Sequence, residues 1–305
     1  MKQTLLFVLL SAVFALAMPA PSATPIRVMI LDGQSGGPYH AWQQTTPALK
    51  TMLEETGLFQ VDVVTAPPAG GDFARFKPEF GKYQAVVMNY DAPDGQWTEE
   101  TKSSFEQYMQ NGGGLVIVHA ADNAFPNWPA YNLMIGIGGW RSRNEKSGPL
   151  WYIKDGKLVS DSSPGNAGSH GRPSPYAIVM QNADHPITKD LPRVWMHATD
   201  ELYNSLRGPG KNMTILATAF SDPVNKGTGR DEPMLVVLTF GIGRIFHTIM
   251  GHDVAALSCA GFVTTYQRGT EWAATGKVTI KAPPDFPTAD KVSVREKYSA
   301  KQAGK

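Results

Sequence analysis

The chain has 305 residues, of which 42% are hydrophobic and 18% charged, the composition of a folded domain rather than of a disordered chain. Its formal net charge of +1 supplies no global field for nucleic acid or for an anionic membrane surface. A single cysteine, Cys259, excludes an internal disulfide, so a core must hold the fold.

Residues 1–17 read as an export leader. Lys2 gives a positive start, residues 5–16 are apolar apart from Ser11, and Ala15-Leu16-Ala17 fits the small-x-small cleavage rule. The mature chain would begin at Met18, or after a later cut at Ala23. The apolar run falls short of the ~20 residues that a membrane span needs. No cysteine follows it to carry a lipid, and no later segment is apolar enough to span. The expectation is an exported protein, periplasmic or extracellular.

Residues 26–31 predict a buried strand, followed by a glycine-rich loop over 32–40. Thr46 and Pro47 suit the N-cap and first position of a helix with Leu49, Met52 and Leu53 on its apolar face, stopped by Gly57. Strands follow at 59–64 and 83–89. Thr98 caps a second helix carrying Phe105, Tyr108 and Met109 at helical spacing, and the glycines at 112–114 stop it before a strand at 115–118. This alternation predicts an α/β domain over 24–280, a mostly parallel sheet covered by helices on both faces. Ligands bind such sheets beyond the carboxyl ends of the strands, which selects the loops at 32–40, 89–94 and 119–125. Residues 141–175 are polar and glycine-rich, with a hairpin around Asp155-Gly156. Strands at 215–219, 234–240 and 244–249 read as an antiparallel extension, the last two joined by Gly241-Ile242-Gly243. A helix from 254 to about 268, with Cys259 as a buried thiol, precedes an extended tail over 281–305.

The sharpest chemical feature is His119, placed at the end of the buried strand in Gly112-Gly113-Gly114-Leu115-Val116-Ile117-Val118-His119. An imidazole there can act as acid, base or metal ligand, with Asp122 just downstream to orient it. A histidine satisfied by loop backbone is the plainer alternative.

The segment GGGLVIVHAADNAFPNWPAYNLMIGIGGW resembles the central motif of the ThuA-like (trehalose utilisation) family. Asp184-His185-Pro186-Ile187-Thr188, Leu191-Pro192, Asp200-Glu201-Leu202-Tyr203 and Phe240-Gly241-Ile242-Gly243, leading to Gly251-His252-Asp253, follow in the family's order, so the similarity runs from about residue 26 to 268. The resemblance implies a flavodoxin-like fold related to class I glutamine amidotransferases. Where those enzymes carry a cysteine on the turn after this strand, His119 stands here, which excludes a thiol amidotransferase. It also implies use of trehalose or a related, 3-keto disaccharide.

Around His119, the resemblance and the ligand-edge rule together nominate His40, in the loop before Trp42, and His252 as catalytic residues. Glu201, Tyr203, Arg141, Trp128 and Asp122 are nominated for sugar binding. Asp253 can instead cap the helix that follows. If His40, His119 and His252 converge, they suit zinc or a similar divalent ion. His197 and His247 read as structural, His185 as a residue of a proline-fixed turn, and His170 as a rim or solvent residue. Three functional readings stay open: a sugar-acting hydrolase or lyase, a non-catalytic sugar-binding or accessory module, and a structural domain that assembles with a partner enzyme, any of which could be oligomeric. Gly33-Gln34-Ser35-Gly36-Gly37 lacks the dinucleotide spacing, which argues against a held NAD.

Overall fold

A computed structural model describes residues 24–36 and 39–298, so the leader read at 1–17 lies outside the described residues. The first half runs β1 (Ile26–Asp32), α1 (Trp42–Glu54), β2 (Phe59–Thr65), β3 (Ala85–Met88), α2 (Glu99–Gln110) and β4 (Gly114–Val118). After α3 (Pro129–Ile135) come the hairpin strands β5 (Leu150–Lys154) and β6 (Lys157–Asp161), then β7 (Ser169–His170), β8 (Ser174–Met180), β9 (Val194–Asp200) and β10 (Tyr203–Asn204). The chain then forms β11 (Thr214–Phe220), β12 (Asp231–Phe240), β13 (Gly243–Thr248), α4 (Val254–Leu257) and α5 (Ala260–Thr275).

Eleven strands make one sheet, whose main path is β2-β1-β3-β4-β13-β12-β11-β8-β9. The first five of these are mutually parallel, and from β13 to β9 every pairing is antiparallel. The sheet is therefore the mixed α/β arrangement that the alternation predicts, with its antiparallel extension. Helices cover both faces. Phe246 of β13 lies under Gly269 of α5, whereas the next residue, His247, turns its Nδ1 to the Ile135 carbonyl of α3 at 2.9 Å. Adjacent strand residues point to opposite faces, so α5 and α3 lie on opposite sides.

Direction along the sheet decides where chemistry can gather. Counting reversals from β13, β9 runs the same way as the parallel strands, so the carboxyl ends of β1, β3, β4, β13 and β9 share one edge. In a flat sheet β9 would lie about 24 Å from β4, five steps of ~4.8 Å. Yet α5 touches β4, β13 and β9 alike, so the antiparallel half curls back over this helix. Two glycines of α5 allow the close approach. A Cβ on Gly269 would stand 2.0 Å from Phe246, and one on Gly261 would stand 2.3 Å from Trp195 of β9.

Several boundaries differ from the sequence reading. Helix α1 starts at Trp42, a turn before Thr46, and Pro47 lies inside it. The hydroxyls of Thr45 and Thr46 instead accept hydrogen bonds from Asn89 Nδ2, both at 2.9 Å, tying α1 to the loop after β3. The single helix expected from 254 breaks into α4 and α5 at Ser258-Cys259. There the chain bridges Val294, and the amide of Ala260 donates to Ser293 at 2.8 Å. The C-terminal segment is thus laid on the body as far as Tyr298, which is buried. Strands β8 and β9 carry no strand signal in the reading above: β8 has a proline as its second residue, and β9 places His197 and Asp200 at buried positions.

That buried pair is an ion pair, with His197 Nε2 2.9 Å from Asp200 Oδ2. Burial opposes charge on His197, but Cys259 and Asp200 outweigh it and raise the imidazole to about 9. Burial likewise opposes the Asp200 carboxylate, and His197 overrides it and holds the carboxyl below its ordinary value.

Replacing Gly269 with Ala gains about 1 kcal/mol of helix propensity but forces the added methyl into Phe246, an overpacking cost of about 1–3 kcal/mol. The expected outcome is a lower denaturant midpoint for Gly269→Ala, and an unchanged or higher midpoint would show that α5 is free to shift. The His197 ring gives a second expectation. Its pKa is raised on folding, so its stabilisation is complete below the unfolded value of about 6.5 and is lost as pH climbs through about 9. Thermal midpoints should fall across that window in the native protein and fall less steeply in His197→Gln; parallel slopes would refute the pair's contribution.

Candidate functional site

Four side chains converge at the shared carboxyl edge. His119 follows β4 directly and adopts a left-handed backbone, φ 44°, which a non-glycine residue holds only when its surroundings impose it. Its Nδ1 lies 2.7 Å from the Ile249 carbonyl just past β13. That bond assigns the proton to Nδ1 and leaves Nε2 as a lone pair, buried and without a hydrogen-bond partner among the described residues. His40, in the loop after β1, repeats the arrangement, with Nδ1 3.1 Å from the Ser35 carbonyl and Nε2 3.0 Å from the Tyr203 hydroxyl. His252 lies four residues beyond β13, and Glu201 immediately follows β9. His252 Nδ1 stands 3.1 Å from Glu201 Oε2. One donor atom from each of His40, His119, Glu201 and His252 lies within 4.8 Å of all the others.

The protonation states divide in two. Burial, reinforced by the neighbouring imidazoles of His119 and His252, pushes His40 down to about 3. Burial also lowers His119. The Glu201 carboxylate raises His252, while Glu201, which burial alone would raise, is held below its ordinary value by His252, His170 and His119. The cluster thus combines two imidazoles that burial keeps neutral with a third, His252, whose charged form the Glu201 carboxylate favours. Neutral imidazole is the form that binds metals.

The cluster opens into a cavity of about 570 Å³ lined also by Trp140, Arg141, Asp91, Asn123 and His170. Arg141 Nε donates to Asp91 Oδ1 at 2.6 Å, fixing a cation and a carboxylate side by side on the wall. Burial raises Asp91, and Arg141 works against that rise. Trp140 lies 4.4 Å from the Tyr203 ring, centroid to centroid. Trp140, Arg141 and Ser142 all have positive φ, 52°, 45° and 65°, so the wall is a strained left-handed turn.

Of the residues nominated from sequence, His40, Glu201, Tyr203 and Arg141 line the cavity, and His119 and His252 stand in the cluster with them. Trp128 does not join them. It stacks on Tyr131, 5.5 Å away, within an aromatic core that includes Phe125 and Trp97, and its Nε1 donates to Glu106. Asp122 does not orient His119, whose ring is fixed by Ile249. Its carboxylate is buried 3.5 Å from His247 Nε2 on the side of α3. Asp253 does cap α4, accepting from the Ala256 amide at 2.9 Å. Sequence reasoning missed Asp91, Asn123 and Trp140. An acidic residue in the loop beyond β3 was a signal for Asp91, since that loop lies on the ligand edge.

The ThuA family profile, described as trehalose utilisation, matches residues 27–273. A crystal structure of a protein described as ThuA-like from Parabacteroides merdae is 48% identical, covers 90% of this chain and 99% of its own, and superposes with a TM-score of 0.86. Another, from Bacteroides uniformis, is 22% identical over 86% of this chain and 97% of its own, with a TM-score of 0.56, and shows the shared fold. A comparison with curated proteins returns no significant match. With a profile spanning most of its length, the chain belongs to the ThuA family, whose description is trehalose utilisation.

Proposed function

We propose that this protein is an exported sugar-acting hydrolase or lyase, taking trehalose or a related 3-keto disaccharide at a divalent-metal site made by His40, His119, Glu201 and His252. One observation carries the reading. Four donor atoms meet within 4.8 Å, two of the imidazoles give their Nδ1 to backbone carbonyls, and Nε2 of His119 is left buried without a partner among the described residues. Such a bond from the outer nitrogen fixes tautomer and ring orientation in metal-binding histidines. Three imidazoles and a carboxylate suit zinc or a comparable first-row ion.

A bound ion would act as a Lewis acid on a carbonyl or glycosidic oxygen. The chain's own residues hold and orient the sugar. Asp91 accepts from hydroxyls and Arg141 donates to them, while Trp140 and Tyr203 offer aromatic faces to the ring's C–H groups. Glu201 and His252 share a proton at the mouth of the cluster, His119 is closed off from water, and the Tyr203 hydroxyl holds His40. The left-handed turn that a thiol would need for amidotransfer is occupied by His119. Among the described residues no helix is long and apolar enough to cross a membrane. The proposed export rests on the leader at 1–17, and N-terminal sequencing of the secreted protein should read from Met18.

Elemental analysis after reconstitution with zinc, manganese or cobalt should find one ion per chain. His119→Ala should weaken its binding by more than about 100-fold, beyond the loss typical of an outer-shell partner, with secondary structure kept. A native protein that takes up no ion removes the metal reading. For the sugar, Arg141→Ala should keep the metal but weaken disaccharide binding in calorimetry by about 10- to 100-fold, the scale of a lost hydrogen bond to a charged group. Undiminished binding would move the sugar elsewhere. Saturable binding with no product from the metal-loaded protein would make it a sugar-binding module instead.

A further inference from the structure

Glu201 and His252 come from segments 51 residues apart, at the ends of strands that are four steps apart in the sheet. We infer that Asp200 is the positioning residue that makes one site of these two segments, an inference that rests on the four-residue cluster being the working site.

The geometry is specific. Asp200 ends β9, and its side chain points inward while that of Glu201, the next residue, reaches the cavity. Its Oδ1 accepts from the amide of Glu201 at 2.8 Å and from the amide of His252 at 3.1 Å. Its Oδ2 accepts from the amide of Gly251 at 2.8 Å and pairs with His197 Nε2 at 2.9 Å. The Tyr176 hydroxyl approaches Oδ2 at 3.4 Å. One fully buried carboxylate therefore ties the backbone of both ligand-bearing segments to a single point.

The residues around it are those such an anchor needs. A carboxylate offers about four lone-pair sites, and here two amides of the β13–α4 loop, the Glu201 amide just past β9 and an imidazole fill them. Asp200 thus has no capacity left to act as a base or ligand itself. His197 supplies the opposite charge that lets the carboxylate stay ionised in the interior. Gly251, at φ 111°, turns the loop so that two successive amides face the same carboxylate; a Cβ there would meet Leu257 at 2.8 Å. At its other end the loop is fixed by the Asp253 cap on α4. The separation of His252 from Glu201 is therefore set by backbone bonds to Asp200 and not by the ion pair between their side chains.

Asparagine at 200 keeps the shape but replaces one acceptor oxygen by a donor, which must face either amide hydrogens or the imidazole. The test is amide hydrogen exchange on the full-length protein, comparing native, Asp200→Asn and Gly269→Ala, the last weakened far from the anchor. In the native protein the amides of Glu201, Gly251 and His252 should exchange as slowly as those of the central strands. In Asp200→Asn they should exchange at least 10-fold faster than the global loss of stability accounts for, whereas Gly269→Ala should show no selective change there. Cobalt(II) titration adds a second readout: Asp200→Asn should bind about 10- to 100-fold more weakly than the native protein, with an altered visible spectrum. Rapid native exchange at the three amides overturns the anchor, and this needs no variant to fold. So does an Asp200→Asn profile that matches Gly269→Ala. If the native protein takes up no cobalt, the metal reading fails while the exchange rates still decide the anchor.

Discussion

The site depends on a sheet that bends far enough to meet itself. Glu201 hangs from β9 and His119 from β4, and only the curl over α5 brings their carboxyl ends together. The curl in turn depends on bare backbone at Gly261 and Gly269, where Trp195 and Phe246 occupy the space that side chains would fill. Burying these large apolar groups against a helix is favourable by about 25 cal/mol for each Å² removed from water. The hydrophobic core therefore does more than stabilise the fold, because it sets the distance across the cluster. Backbone bonds to Asp200 then refine that distance at the edge where packing alone is too coarse.

The first half of this architecture is legible in the sequence because parallel strands buried on both faces read as continuous apolar runs. The runs 26–31 and 115–118 are of that kind, and the loops after them were identifiable as the ligand edge. The antiparallel extension is less legible. In β8 exposure alternates with burial around a proline, and β9 buries His197 and Asp200, whose partners lie elsewhere in the chain. The break at Cys259 is imposed by the C-terminal segment, a tertiary cause that helical periodicity cannot carry. For the site, position at a strand end found His119, the ligand-edge loop after the first strand pointed to His40, and motif order found Glu201, Tyr203 and His252. Trp128 was misplaced because an aromatic in a motif carries the same letters whether it walls a cavity or fills a core. Asp200 stood beside a nominated residue, yet nothing in its letter told an anchor from a ligand.

Backbone strain adds a second line of argument. His119 occupies the left-handed position after a central strand, where a nucleophile can be lifted clear of the sheet. Its Nδ1 is spent on Ile249, which fixes the ring and leaves one lone pair buried and without a partner among the described residues. A solvated histidine would not need such a constraint. The left-handed run from Trp140 to Ser142 is similar in kind, for it presents an indole and a guanidinium to the same cavity at a conformational cost. Strain at both walls of one pocket fits preorganisation for a ligand.

The charges point the same way. Two carboxylates near the cluster are already engaged: Asp200 with His197 and backbone amides, and Asp91 with Arg141. Only the partner of Glu201, His252, is itself a candidate ligand. A cation entering the cluster would displace the proton from His252 and take its place beside the Glu201 carboxylate. It would meet His40 and His119 already neutral, the Nε2 lone pair of His119 free and that of His40 held by the Tyr203 hydroxyl until it turns away. Without a cation, the same arrangement leaves a buried imidazole nitrogen unsatisfied, a cost of about 1–3 kcal/mol for a polar group deprived of its partner. That nitrogen lies where four donor atoms meet, and a bound ion would satisfy it.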